Sequence, residues 1–146
     1  MIRKAEERDL DTIMQIWRSA NLDAHSFIPA HYWLDRYEEV KAAIPLAEVY
    51  VHETDDDPDI NGFIGLNGDY VEGLFVESSV RSRGIGAKLL NFAKRERSTL
   101  SLCVYAKNAR AVRFYLREQF TVQAERFDAC TGEKEFRMDW RKNGSL

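Results

Sequence analysis

The chain has 146 residues, 45% hydrophobic and 31% charged, with a formal net charge of −3. That length suits one domain, residues 1–146, and leaves no room for a second core. The mild acidity gives no electrostatic argument for nucleic acid and favours a cationic partner over an anionic one. No apolar run reaches membrane-spanning length and no basic stretch leads into an apolar one at the N-terminus, so no membrane span or secretory leader is expected and the chain reads as cytoplasmic. Two cysteines, Cys103 and Cys130, and three scattered histidines, His25, His31 and His52, supply neither a disulfide framework nor zinc-ligand spacing, so no metal is expected.

Alternation over Ile2 to Ala5 predicts an N-terminal strand. Leu10, Ile13, Ile16, Trp17 and Ala20 then recur at helical spacing, with Asp9 placed to cap the helix and Asn21 to Pro29 breaking its pattern. A second, more polar helix is expected from Ala30 to Ala43, stopped by Pro45. Val49 to His52 and Ile60 to Leu66 read as a strand pair around the acidic tract Asp55-Asp56-Asp57-Pro58-Asp59, which lacks calcium-loop spacing and reads as a solvated turn.

Tyr70 to Val76 is a strong strand, and Ile85 to Arg97 an amphipathic helix with Ile85, Leu89, Phe92 and Ala93 on one face. Leu100 to Tyr105 predicts a strand, Asn108 to Glu118 a helix. Thr121 to Phe127 and Glu135 to Trp140 close the chain as two strands about Thr131-Gly132. The order β-α-α-β-β-β-α-β-α-β-β, seven strands and four helices, defines a mixed α/β domain.

The chemistry is concentrated after the Tyr70–Val76 strand. A short loop leads into Arg81-x-x-Gly84-x-Gly86 at the start of a helix. Glycines there allow close backbone approach, and the first N–H groups of a helix have no internal partners and favour an anion. Arg81, Arg83 and Lys88 add positive charge. The pattern fits a phosphate, yet it is neither a Walker A loop nor a dinucleotide fingerprint, because Leu89 stands where the third glycine belongs. Alone it describes equally a glycine turn with solvated arginines.

A second segment decides between these. Leu102-Cys103-Val104-Tyr105 leads through Asn108 to Ala111 and then Phe114-Tyr115, ending at Phe120. Together the two segments resemble the GNAT superfamily of N-acetyltransferases, closely over about residues 60 to 127 and by element order over the whole chain. The resemblance implies an α/β fold with a mixed, mostly antiparallel sheet of about seven strands. It implies an enzyme moving an acetyl group from acetyl-CoA to a primary amine, with amine and thioester bound together.

By that resemblance, Arg81, Ser82, Arg83, Gly84, Ile85, Gly86, Ala87 and Lys88 wrap the coenzyme pyrophosphate. Leu74, Phe75 and Val76 line a gap between splayed strands, where the Val76 N–H faces the thioester oxygen. Asn108 touches the coenzyme from the other side, and Tyr115 matches the general acid that protonates the leaving thiolate. The family's frequent glutamate is replaced by Cys103. Glu72 is the substitute base, because strand alternation puts Tyr70, Glu72, Leu74 and Val76 on one face.

Gln119 stands where relatives carry glycine, so a left-handed helix end there would cost on the order of 1 kcal/mol. Acceptor recognition falls to His25, Phe27 and Tyr32, whereas Trp33 is expected to pack the helices on the sheet. The expected partners are acetyl-CoA and an amine, small molecule or protein, with the chain a monomer or homodimer. The competing readings are a non-catalytic acyl-CoA sensor, which the absent glutamate favours and Tyr115 opposes, and a phosphate enzyme using the glycine loop differently.

Overall fold

The computed structural model describes residues 1–53, 59–80 and 83–142. Seven strands form one sheet in the order β1-β2-β3-β4-β5-β7-β6. They are β1 (Ile2–Lys4), β2 (Glu48–Glu53), β3 (Ile60–Asn67), β4 (Tyr70–Val76), β5 (Thr99–Tyr105), β6 (Thr121–Phe127) and β7 (Lys134–Arg141). All neighbours are antiparallel except β4 and β5. The helices are α1 (Leu10–Ala24), α2 (Ala30–Asp35), α3 (Tyr37–Ala43), α4 (Ile85–Arg95) and α5 (Ala109–Arg117). Among the described residues no helix is long and apolar enough to cross a membrane.

Two apolar clusters hold the layers together, one on each face of the sheet. On one face Leu89, Leu90 and Ala93 of α4 and Tyr115 of α5 cover Ile64, Leu66, Leu100, Leu102 and Val104. On the other, Ile13, Met14 and Trp17 of α1 and Trp33 of α2 cover Val49, Val51 and Phe63. Strand β3 runs between the two, so all its residues from Ile60 to Leu66 are buried. That accounts for its continuous apolar and glycine run.

Three expectations need correction. The first helix continues through Asn21 to Ala24, because Asn21 is buried and returns a side-chain bond from Nδ2 to the Trp17 carbonyl, 2.9 Å. Asp9 does not cap it. Its carboxylate instead accepts from the Glu6 N–H and from Arg3, at 2.8 and 2.9 Å, closing the preceding 3-10 turn. The second helix is two short ones meeting at Arg36, whose guanidinium lies 3.7 Å from the Tyr32 ring centroid and bonds the Tyr32 carbonyl. The acidic tract from Asp55 to Pro58 lies outside the described residues.

Candidate active site

Strands β4 and β5 register only at Tyr70 and Ser101, near their starts, while β5 goes on pairing with β7 over its whole length. Beyond that single pair β4 and β5 diverge. On its other edge β4 pairs with β3, Gly62 opposite Val76 and Ile64 opposite Leu74. The Glu77 N–H donates to the Asn61 carbonyl at 2.9 Å. Antiparallel pairs alternate between bonded and non-bonded, so Val76 and Leu74 turn their N–H and C=O groups away from β3, toward the opening.

One residue of β4 breaks the alternation. Leu66 pairs with Val71 and Gly65 with Gly73, which leaves Glu72 as the extra residue of a bulge. Val71, Leu74 and Val76 consequently share the α4–α5 face, while Phe75 packs on the opposite one. The expected common face for Tyr70, Glu72, Leu74 and Val76 is thus overturned. Glu72 lines a groove of about 690 Å³ on the α1–α3 face, with Trp17, Glu39, Glu48, Phe63 and Phe75.

At the open end of β4 the chain enters α4 through Gly84, whose φ of 79° is left-handed. A left-handed residue followed by a helical one curls successive N–H groups around a concavity that suits an anion. The first helical bond runs from the Lys88 N–H to the Gly84 carbonyl, 3.0 Å, so the amides of Ile85, Gly86 and Ala87 are left over at the helix start. Gly86 has a packing reason as well. A Cβ there would come within 3.3 Å of the Phe114 ring.

Helix α5 closes the cleft from the far side. The Asn108 Oδ1 accepts from the Ala111 N–H at 3.3 Å and caps it. Tyr115 is 8% exposed, and burial pushes its phenol well above the ordinary range, keeping it protonated. At the helix end Gln119 takes φ 76°. The Phe120 N–H reaches the Tyr115 carbonyl and the Gln119 N–H the Leu116 carbonyl, at 3.0 and 3.1 Å. This is the double-bonded left-handed helix terminus, sealed by ring contact between Tyr115 and Phe120. Of the two endings open to Gln119, a strained left-handed one or a different helix end, the structure has the left-handed one.

Between α1, β4, α4 and α5 lies a cleft of about 600 Å³. Its walls include Leu74, Phe75, Val76, Gly84, Ile85, Gly86, Ala87, Asn108, Tyr115 and His25, which gathers most of the predicted positions into one place. Arg83 and Lys88 are exposed at the start of α4 and are not among its walls. Arg81 and Ser82 lie outside the described residues.

Sequence reasoning missed Arg110, Arg113 and Arg117, three cations on the same cleft. Their spacing of three and four residues puts them on one helix face, and that was the available signal. Among the described residues no group of three His, Cys, Asp or Glu is arranged to hold a metal ion.

The expected acceptor residues separate. Phe27 packs edge-on against His25 and Tyr105, with the Lys107 ammonium 5.6 Å from its ring. Tyr32 stands edge-on to the buried Trp33 and beside Tyr105, whose hydroxyl donates to Asp128 in the β6–β7 connection at 2.7 Å. Only His25 reaches the cleft, stacked on Trp33 at 5.2 Å. At the position of the missing glutamate, the Cys103 Sγ accepts from Arg126, 3.1 Å away, and Arg126 pairs with Glu135 at 2.7 Å.

A sheet parted at β4 and β5, a helix start whose first amides have no partner within the helix, and Tyr115 on the cleft wall together suit acyl transfer from a phosphate-bearing thioester. The chain belongs to the GNAT acetyltransferases: residues 45–122 match the family model described as an acetyltransferase (GNAT) domain. It is an N-acetyltransferase, and acetyl-CoA is the donor in this family.

The chain is similar to the peptidyl-lysine N-acetyltransferase YiaC of Escherichia coli K12, 32% identical over 123 residues, 84% of each chain. Similar, too, is the peptidyl-lysine N-acetyltransferase YjaB of Salmonella typhimurium, 31% identical over 83% of each chain. The fold matches the solution structure of apo-form YjaB from Escherichia coli with a TM-score of 0.86, over 99% of this chain and 98% of that one, at 24% identity.

Proposed function

We propose that the chain acetylates lysine side chains of proteins, the amine attacking a thioester held in the α4–α5 cleft while both are bound. The observation that carries the reading is the parting of β4 from β5, with the Leu74 and Val76 backbone turned into it and Tyr115 on the facing helix. The acceptor class rests on the two relatives described as peptidyl-lysine N-acetyltransferases, each matched over more than four-fifths of both chains.

Acetyl-CoA, when bound, supplies an acetyl group already activated as a thioester. The cleft suits it: free amides and Gly84 at the α4 start, with Arg110, Arg113 and Arg117 along α5, face one ligand end, and strand-edge groups of Leu74 and Val76 face the other. The Val76 N–H polarises the carbonyl oxygen. Tyr115, held protonated by its surroundings, donates to the departing sulfur.

A lysine ammonium has a pKa of about 10.4 and must lose a proton before attack. Glu72 takes it from the opposite face. It lies four positions before Val76, on the order of 10–13 Å along a strand, so the proton travels through water. The chemistry works in a monomer or in each subunit of a homodimer.

The test is release of free thiol from acetyl-CoA with lysine-containing peptides, polyamines and amino acids as acceptors. Lysine peptides are expected to be turned over fastest, with mass spectrometry placing the acetyl group on the side-chain nitrogen. Turnover confined to small amines overturns the acceptor class. Saturable coenzyme A binding without thiol release from any acceptor would make the chain a sensor instead.

A further inference from the structure

One continuous chain of polar groups ties the end of α1 to the start of α5. Asn21 Nδ2 donates to the Trp17 carbonyl at 2.9 Å, which leaves its Oδ1 facing His25 Nδ1 at 3.1 Å. At the other end the Ala111 N–H donates to Asn108 Oδ1, which leaves Asn108 Nδ2 facing His25 Nε2 at 3.3 Å.

A backbone group fixes the direction at each end, a carbonyl on one side and an N–H on the other. Both ends demand the same state of the ring between them: Nδ1 carries the proton and Nε2 only a lone pair. A second proton on Nε2 would point at the Asn108 amide hydrogens and break the chain.

The surroundings suit that state. His25 lies against Trp33 and Phe27 from the α2 side, Tyr105 from β5, and the two asparagines. Of these only Tyr105 titrates, and burial with its bond to Asp128 keeps its hydroxyl protonated. Burial alone lowers His25 to about 4, so it is neutral at physiological pH. With both nitrogens engaged, the ring has none left for an acceptor. It does have a grip on Asn108, the cap of the helix that carries Tyr115 and the three cleft arginines.

We propose that His25 is a positioning residue: its Nδ1-protonated ring holds Asn108 and the first turn of α5 against the cleft, and so sets affinity for coenzyme A rather than for the amine. The proposal rests on the reading that this cleft takes the coenzyme. It also explains why a histidine stands here. A side-chain amide can offer a donor and an acceptor, but not from a flat ring that stacks on Trp33.

Two measurements on the full chain test it. Long-range proton–nitrogen NMR without ligand is expected to show His25 wholly as the Nδ1–H tautomer, unchanged from pH 8 to pH 5. An Nε2–H tautomer, or titration centred above pH 6, overturns the proposal.

Calorimetric binding of coenzyme A is then compared across wild type, His25→Phe and His25→Gln. Phenylalanine keeps the stacking and deletes both bonds, so the coenzyme Kd is expected to rise about fivefold, the loss of roughly one net hydrogen bond. Glutamine, which returns an acceptor to Asn108, recovers most of that loss. In turnover the KM for acetyl-CoA rises more than kcat falls.

Wild-type affinity in the Phe variant, or no recovery by Gln, overturns the proposal. If the Phe variant fails to fold, Asn108→Asp replaces it. That change sets an acceptor opposite Nε2 while Asn21 keeps its own at Nδ1, so a doubly protonated ring is expected near neutral pH, and an unaltered neutral Nδ1–H ring counts against the chain described. No coenzyme A binding by wild type would overturn the functional reading instead, and this proposal with it.

Discussion

The cleft on the α4–α5 face and the groove on the α1–α3 face are similar in size, about 600 and 690 Å³, yet they are made differently. The cleft is framed by strand-edge groups of β4, the amides starting α4 and the capped first turn of α5, within residues 74 to 118, and is completed by Ala20, Ala24 and His25 at the end of α1. The groove is assembled from side chains far apart in sequence, Trp17, Glu39, Glu48, Phe63 and Glu72. A site of backbone groups binds one ligand in one geometry and survives sequence change around it. A site of distant side chains changes shape with each of them.

The largest effect should come from the side chain proposed as the general acid. Tyr115→Phe is expected to lower kcat by about 10²–10³-fold, the usual range for losing a general acid. Coenzyme A affinity should stay within about twofold, since the ring contacts with Phe114 and Phe120 survive. Steady-state kinetics with calorimetry measures both. Near-wild-type kcat would remove Tyr115 as the acid.

Acid should next expose the junction between the two regions. His25 has a folded-state pKa of about 4 against 6.5 unfolded, so the unfolded chain binds the extra proton first. The stability His25 lends is therefore complete above pH 6.5 and is lost as pH falls from 6.5 toward 4, about 2 kcal/mol after allowing for solvent screening. Denaturant midpoints followed over that window in wild type and His25→Phe measure it. Parallel pH curves would mean that the histidine is not held neutral.

Gly86→Leu probes the cleft wall itself. A Cβ at this position meets the Phe114 ring at 3.3 Å, and a longer side chain must displace that ring or enter the coenzyme space. Coenzyme A affinity is expected to fall about tenfold, 1.4 kcal/mol in binding terms. Unchanged affinity would mean that the ligand does not lie along the α4 start. By contrast, Glu72→Gln, on the groove side, is expected to lower kcat without moving coenzyme affinity, because it removes the proposed proton acceptor and touches no wall of the cleft.

How far the sequence could be read follows the same division. The Gly84 and Gly86 turn, the Asn108 cap and Tyr115 are local patterns in which a few neighbouring residues fix backbone shape, so their place in the fold could be read in advance. Glu72 was put on the wrong face because alternation assumes an unbroken ladder, and the bulge opposite Gly65 and Leu66 is set by pairing with another strand. The break at Arg36 escaped for a related reason, since it is marked by a guanidinium over Tyr32 and not by a glycine or proline. His25 was legible as a residue of interest but not in its role. Its partners, Asn21 and Asn108, meet it only after α1 and α5 are brought together.

The end of α5 allows a last test, in which neither region should respond. Gln119 holds a left-handed conformation that glycine adopts without strain, and its side-chain amide lies 3.5 Å from the Arg117 carbonyl. The helix terminus is made by the backbone bonds of Gln119 and Phe120 and by the contact of Phe120 with Tyr115, all of which glycine preserves. Gln119→Gly is therefore expected to stabilise the chain by about 1 kcal/mol, raising Tm by roughly 3 °C, with kcat and coenzyme affinity unchanged. Calorimetric melting beside the turnover assay decides it. A gain in stability with a loss of turnover would mean that strain at this helix end aims Tyr115 at the cleft, and the division between a backbone-built donor site and its supporting fold would have to be redrawn there.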